Sequence, residues 1–184
     1  MSETRASTPE AAVGQSDSAE EGRATAEGGA TADDGTASEG GALGTGSPDA
    51  VLALVTEQPL DAAALEAWVA TSADGAVVTF RGVVRDHDHG ATVRGLDYRA
   101  HPEAESMLRA ACTRLHESRG LRVAAAHRTG SLLVGDIALV AVVASPRRAE
   151  AFAAVDALVA EIKASVPIWK RQHLADGSTE WVGL

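Results

Sequence analysis

The stretch Ile137-Ala138-Leu139-Val140-Ala141-Val142-Val143-Ala144-Ser145 decides the fold, because it is apolar at odd and even positions alike up to Ala144. Successive side chains of a strand point to opposite faces, so a strand with two apolar faces must be covered on both. It is therefore predicted to lie centrally in a sheet. A helix follows at once, starting near Pro146 or Arg147. Phe152, Val155, Val159, Ile162 and Val166 recur at three- and four-residue steps and form one buried stripe. Pro167 ends this helix, since proline disfavours helical geometry at the residue before it.

Upstream, Val51–Thr56 reads as a short strand and Asp61–Ala70 as a short helix with Leu65 and Trp68 on one side. Gly75–Arg85 is a strand in which Ala76, Val78, Phe80 and Val84 share one face, while Val77, Thr79, Arg81, Val83 and Arg85 share the other. Asp86–Gly90 is a polar loop, and a strand runs from about Val93 to Ala100. Pro102 suits the first turn of a helix whose apolar face is Met107, Leu108, Ala111 and Leu115, ending near Gly120. Leu121–Arg128 is a further strand, and short β elements around Ile168–His173 and Thr179–Val182 complete the pattern. Strands outnumber helices and several connections are short. This predicts an α+β single domain with a mixed or antiparallel sheet and about three helices, rather than a doubly wound parallel sheet.

Residues 1–48 differ in kind. They are acidic, rich in Gly, Ala, Ser and Thr, and contain no aromatic residue and no periodic apolar run. Such a segment buries too little apolar surface to offset its ordering entropy, and is expected to be a disordered tail. It lacks the basic start and apolar core of a signal peptide, and its acidity argues against a transit peptide. The domain is expected over residues 49–184. Most of the formal net charge of −10 sits in the tail, so the domain is nearly neutral and nucleic acid is not an expected partner. No apolar run is long enough to span a bilayer, and the single cysteine, Cys112, forms no intramolecular disulfide. Both observations fit a cytoplasmic protein.

The chemistry is expected at the lysines. Of the 16 Lys and Arg side chains only Lys163 and Lys170 are lysine. An amine can lose its proton, attack a carbonyl or relay a proton, whereas a guanidinium stays charged. Lys163 is expected in the last turn of the third helix, where it either serves the helix dipole or acts as a partly shielded amine. Lys170 follows Trp169 in a post-proline segment that points the two side chains to opposite sides. It is either a surface lysine or a cation directed into a cleft. Arg147 and Arg148 open the third helix against the preference of its dipole, and with the helix amides they make a candidate anion site. Arg85, with Arg81 on the same strand face, is a second candidate. Together these groups describe a pocket for a small phosphorylated anion.

Asp86-His87-Asp88-His89 carries zinc-type ligands, but no further cluster completes a site and the run suits a turn ending at Gly90, so no metal is expected. Cys112, preceded by Ala110 and Ala111, reads as a small buried hydrophobe. His127 reads as a satisfied structural histidine.

Several segments together resemble a known family. They are Gly75-Ala76-Val77-Val78-Thr79-Phe80-Arg81-Gly82-Val83-Val84-Arg85-Asp86-His87, His127-Arg128-Thr129-Gly130, Gly135-Asp136, the helix start at Ser145–Phe152, and the block from Lys163 through Pro167-Ile168-Trp169-Lys170-Arg171 to Trp181-Val182. In order and with compatible spacing, they resemble the catalytic (large) subunit of molybdopterin synthase from about Val51 to Val182. The resemblance implies an α/β-hammerhead-type α+β subunit that forms the homodimer core of a heterotetramer. Each copy would bind a small ubiquitin-like sulfur carrier subunit whose C-terminal Gly-Gly bears a thiocarboxylate. The implied reaction puts two sulfurs onto cyclic pyranopterin monophosphate to give the dithiolene of molybdopterin, and needs no cofactor.

By motif position, Lys163 and Lys170 match the family's active-site lysines, and Arg85 and Arg148 match arginines of its anion-binding pocket. Where the family commonly has histidine before Arg148, this chain has Arg147, which retains anion binding but removes a neutral imidazole. The chain stops two residues past Val182, where relatives continue, so contacts from a longer C-terminus are not expected. On the residues alone two other readings stay open. One is a non-catalytic binding module for a ubiquitin-like partner or phosphorylated ligand. The other is a lysine Schiff-base enzyme acting on a phosphorylated carbonyl compound.

Overall fold

A computed structural model describes residues 50–182, and the tail expected to be disordered lies outside them. In chain order the elements are β1 (Val51–Thr56), α1 (Ala62–Val69), β2 (Ala76–Val83), β3 (His87–Asp88), β4 (Ala91–Ala100), α2 (Ala104–Arg119), β5 (Arg122–Arg128), β6 (Gly130–Leu133), β7 (Ile137–Ser145), α3 (Arg148–Ser165), β8 (Ile168–Leu174) and β9 (Thr179–Val182). This is the α+β domain with three helices that the sequence predicts. Its strands divide between two sheets.

The first sheet has the order β1-β5-β7-β2, with β1 parallel to β5 and the other pairs antiparallel. β7 is internal, as its double apolar alternation requires. Leu139, Ala141 and Val143 join a core with α2 and α3, whereas Val140, Val142 and Ala144 join a second core with α1. β5 divides the same way, Val123 and Ala125 to one side, Ala124 and Ala126 to the other. Small side chains on these two strands let helices pack closely on both faces. Truncating a fully buried leucine of the larger core, such as Leu158 on α3, would cost roughly 2–5 kcal/mol. Asp61 starts α1 by accepting the Ala64 N–H at 3.0 Å, and Gly120 ends α2 in the left-handed region at φ +68°.

The second sheet runs β3-β4-β8-β9, with β6 also paired to β4, and all its pairings are antiparallel. β6 approaches β4 so closely at Gly95 that a Cβ there would lie 2.9 Å from the Leu132 carbonyl oxygen, so only glycine fits. Val84, Val93, Leu96, Leu132 and Ala138 form a third, smaller core that joins this sheet to the first.

Four details differ from expectation. Phe152 is 62 % exposed, because Ala151, Ala154, Val155, Leu158, Val159 and Ile162 supply the buried stripe of α3, and alanine permits the closer approach to the sheet. Met107 is likewise exposed, and α2 buries Ala104, Leu108, Ala111, Cys112 and Leu115 instead. Pro102 lies just before α2 rather than in its first turn. The polar run Asp86–Gly90 is a tight hairpin and not an irregular loop. Asp88 pairs with Ala91 and His87 with Thr92, and the chain reverses through His89 and Gly90, both at positive φ (+47° and +85°) as such a turn demands.

Candidate active site

Pro167 separates the last turn of α3 from β8 and sets the geometry of the site. Lys163 sits in that last turn, and Lys170 is the third residue of β8. Both line one cavity of about 440 Å³, between the end of α3, the end of β2 with the segment after it, and the inner faces of β4 and β8. Its walls are apolar, with Phe80, Leu139, Ile162, Val166 and Ile168 among them, and its polar lining is Arg81, Arg85, His87, Asp88, Tyr98, His127, Lys163, Lys170 and Gln172. A concave, largely apolar pocket with a few convergent polar groups is the usual form of a small-molecule site.

Lys170 points inward, as the alternation along β8 predicts, while Trp169 on the opposite side is exposed and meets His101 edge-on with ring centroids 6.4 Å apart. The Lys170 ammonium donates to Asp88 Oδ2 at 3.1 Å. The other oxygen of Asp88 lies 3.5 Å from the Arg85 guanidinium. The Lys170 hydrogen bond is the main reason the Asp88 carboxyl is held below the usual carboxylate range, helped by the charges of Lys170, His89 and Arg85. Lys163 is exposed at the rim and makes no salt bridge among the described residues. The cavity thus presents two amines and two guanidiniums, that of Arg81 paired with Glu66, against one lining carboxylate, a net positive site suited to an anion.

His127 is buried at the cavity's inner end. Its Nδ1–H donates to the Arg128 carbonyl at 2.9 Å, and the Tyr98 ring meets it edge-on at 5.3 Å. Burial pushes its pKa down, so the ring stays neutral and only one nitrogen is satisfied by the protein. The structural reading of His127 is therefore half of its situation, because the ring also borders the cavity.

The two arginines at the start of α3 sit elsewhere. Arg147 caps α3 and Arg148 begins it. Both are exposed, and neither lines the cavity. From Arg148 to Lys163 the helix rises about 22 Å at about 1.5 Å per residue, so these groups do not converge within one chain. Glu150 turns to the Ser145 hydroxyl at 2.8 Å and leaves both arginines without an ion pair among the described residues. Arg81 lines the cavity with Arg85, but its guanidinium is paired with Glu66 on α1 at 3.4 Å, and the ladder of β2 shifts register between Gly82 and Val83. Arg85 is the arginine that shares a carboxylate with Lys170.

Asp86 and Asp88 are engaged with His87 (2.7 Å) and Lys170 respectively, and among the described residues no group of three or more His, Cys, Asp or Glu side chains gathers as for a metal ion. Cys112 is buried in α2, away from the cavity, with its thiol pushed up to about 12 by burial.

Asp88 and Gln172 were not legible as site residues in the sequence. Gln172 shares the inward alternation of Lys170 on β8, which was the available signal. Asp88 had none, since its partner stands 82 positions away.

A profile of the MoaE protein family matches residues 55–165. Molybdopterin synthase catalytic subunit 1 of Mycobacterium tuberculosis is 40% identical over 131 residues, covering 70% of this chain and 88% of the relative. The molybdopterin synthase catalytic subunit of a Nostoc species is 38% identical over 133 residues, covering 71% of this chain and 81% of its own length. Among solved structures, molybdopterin synthase from Staphylococcus aureus superposes with a TM-score of 0.67 at 32% identity, over 72% of this chain and 97% of that one. No helix among the described residues is long and apolar enough to cross a membrane.

Proposed function

The chain belongs to the MoaE protein family, and on that premise we propose that it transfers sulfur from the C-terminal thiocarboxylate of a small ubiquitin-like carrier subunit to cyclic pyranopterin monophosphate. It is an enzyme of molybdenum cofactor biosynthesis, of the molybdopterin synthase catalytic-subunit type. The observation that carries the finer reading is the meeting of Lys163 and Lys170, the only lysines of the chain, with Arg85 around one cavity. We assign the activity to residues 49–184 and place it in the cytoplasm.

Each transfer forms a C–S bond at a substrate carbon as that carbon gives up a C–O bond, the oxygen leaving as water or staying on the phosphate, while the carrier is still attached through its acyl group. Water then attacks the acyl carbon, the acyl C–S bond breaks, the sulfur stays on the substrate as a thiolate, and the carrier departs with a C-terminal carboxylate. Lys163, exposed at the rim, is where the carrier's extended Gly-Gly tail arrives, and its amine carries the proton or stabilises the charge on the acyl oxygen. Lys170, further in, holds the substrate and the carrier-linked intermediate. Arg85 supplies a guanidinium for the phosphate. Arg147 and Arg148 stand too far along α3 to reach the lysines of their own chain. We assign them to the site of a second copy in a homodimer, which with two carriers makes a heterotetramer. No metal or organic cofactor takes part in this step.

The test mixes the full chain with a thiocarboxylated Gly-Gly carrier and cyclic pyranopterin monophosphate, and follows the dithiolene by its fluorescent oxidation product. Product that disappears in Lys163→Ala supports the reading. Carrier binding without product in the wild type would instead establish a binding module, and borohydride trapping of substrate on Lys163 would establish Schiff-base chemistry.

A further inference from the structure

One acidic side chain stands among the cations of the cavity. The Asp88 side chain is 10 % exposed, with Oδ2 at 3.1 Å from the Lys170 ammonium and Oδ1 at 3.5 Å from the Arg85 guanidinium and 3.2 Å from His89 Nδ1. A fixed carboxylate against the cations of an anion pocket lowers the attraction they offer to any arriving anion. The element that carries it is slight. β3 is held to β4 by two residue pairs, and its turn places the non-glycine His89 in the left-handed region, at a cost of about 1 kcal/mol. Asp86, His87 and His89 around it are exposed, so Asp88 is the inward-facing anchor of the hairpin.

We propose that Asp88 is a resident counter-anion: in the free protein its carboxylate occupies the place on Lys170 and Arg85 that the substrate's phosphate takes in the complex. The proposal rests on the reading of this cavity as the sulfur-transfer site. Carboxylate and phosphate oxygens form the same charge-assisted hydrogen bonds to an ammonium and a guanidinium, so the exchange leaves neither cation unpaired in either state. The Lys170 side chain is only 21 % exposed, and a cation at that depth without a partner would carry a desolvation penalty. Asp88 removes the penalty in the empty site and competes with the substrate in return. On exchange, the hairpin swings its carboxylate toward solvent.

Calorimetric titration of the full chain with inorganic phosphate at low ionic strength tests this directly. Asp88→Asn is expected to bind phosphate about three- to tenfold more tightly than the wild type. The gain should shrink as salt is raised. Asp88→Glu, which keeps the charge, is expected to bind as the wild type does. If Asp88→Asn fails to fold, Asp88→Ser carries the same expectation with a turn-compatible side chain. Equal or weaker phosphate binding by a folded neutral variant overturns the proposal and leaves Asp88 as a positioning group for Lys170. Tightening toward a peptide ending in a Gly-Gly carboxylate, without tightening toward phosphate, overturns the assignment to phosphate and names the carrier's terminus as the displacing anion. Dithiolene formation is measured alongside. A wild type that turns over while the neutral variants gain no affinity refutes the counter-anion alone, whereas a wild type that makes no product refutes the parent reading.

Discussion

The two faces of β8 carry similar groups to different ends. On the outer face Arg171 and His173 both bond Asp97, at 2.6 and 2.8 Å, and Asp97 also accepts the Ser131 hydroxyl at 2.7 Å. Arg171 and Arg99 each stand 5.6 Å from the centre of the Trp181 ring. Every charge there has a partner, and the cluster ties β4, β6, β8 and β9 together. On the inner face Lys170 has one carboxylate, which it shares with Arg85, and Lys163 makes no salt bridge among the described residues. Charge by itself does not mark a site. Cationic capacity left over beside a cavity does.

The contrast is broken most directly at the lysines. Lys163→Ala and Lys170→Ala are each expected to lower dithiolene formation by about 10²-fold or more, Lys163→Ala with an unchanged melting temperature. An outer-face Arg171→Ala that lost as much turnover while remaining equally stable would erase the distinction. Asp97→Ala should do the converse, lowering stability by about 2–3 kcal/mol in denaturant melts while activity per folded molecule persists, because Arg171 and His173 lose their shared acceptor.

Arg148→Ala sharpens the comparison at a third place. It is expected to raise the KM for the pterin substrate about tenfold with a smaller change in kcat, as loss of a binding contact does. The outer cluster also has a signature in pH. The Ser131 and Arg171 hydrogen bonds hold the Asp97 carboxyl far below the ordinary range. The unfolded chain therefore takes up this proton first as pH falls. The stability that Asp97 contributes is complete above about pH 4 and declines as pH drops toward its native value. Thermal melts on the acid side should show that decline in the wild type, and a shallower one in Asp97→Asn. Least affected in stability is Arg81→Ala, which breaks an exposed 3.4 Å pair with Glu66; a loss under about 1 kcal/mol in denaturant melts is expected.

What was legible in the sequence was local. The double alternation of β7, the proline that ends α3 and the opposed side chains of Trp169 and Lys170 all follow from periodicity within a few residues, and the structure has them as read. The partition into two sheets was hidden because it is decided by pairing partners far apart in the chain. β6 escaped notice for a simpler reason: four residues from Gly130, itself at φ +83°, are too few to show a period. Phe152 and Ala151 both fit the start of the α3 stripe by spacing, and close packing on the sheet selected the alanine. At the site, scarcity made the lysines conspicuous. Asp88 reads in the sequence as part of a turn or a metal run, because Lys170 on β8 is its partner only in the fold, and the pairing of Arg81 with Glu66 on α1 has no signature in alternation.

The burial of Cys112 has a chemical consequence of its own. In the proposed reaction the carrier's terminus becomes an activated acyl group, and a nearby thiolate is the competitor that would capture it ahead of water. This chain owns one thiol, packed on α2 among Leu108, Ala111 and Leu115 and pushed up to about 12 by that packing. In that reaction the carrier's tail would meet amines and guanidiniums that can hold it and no exposed thiol among the described residues that could divert it, so selectivity would come partly from what the hydrophobic core keeps out of reach.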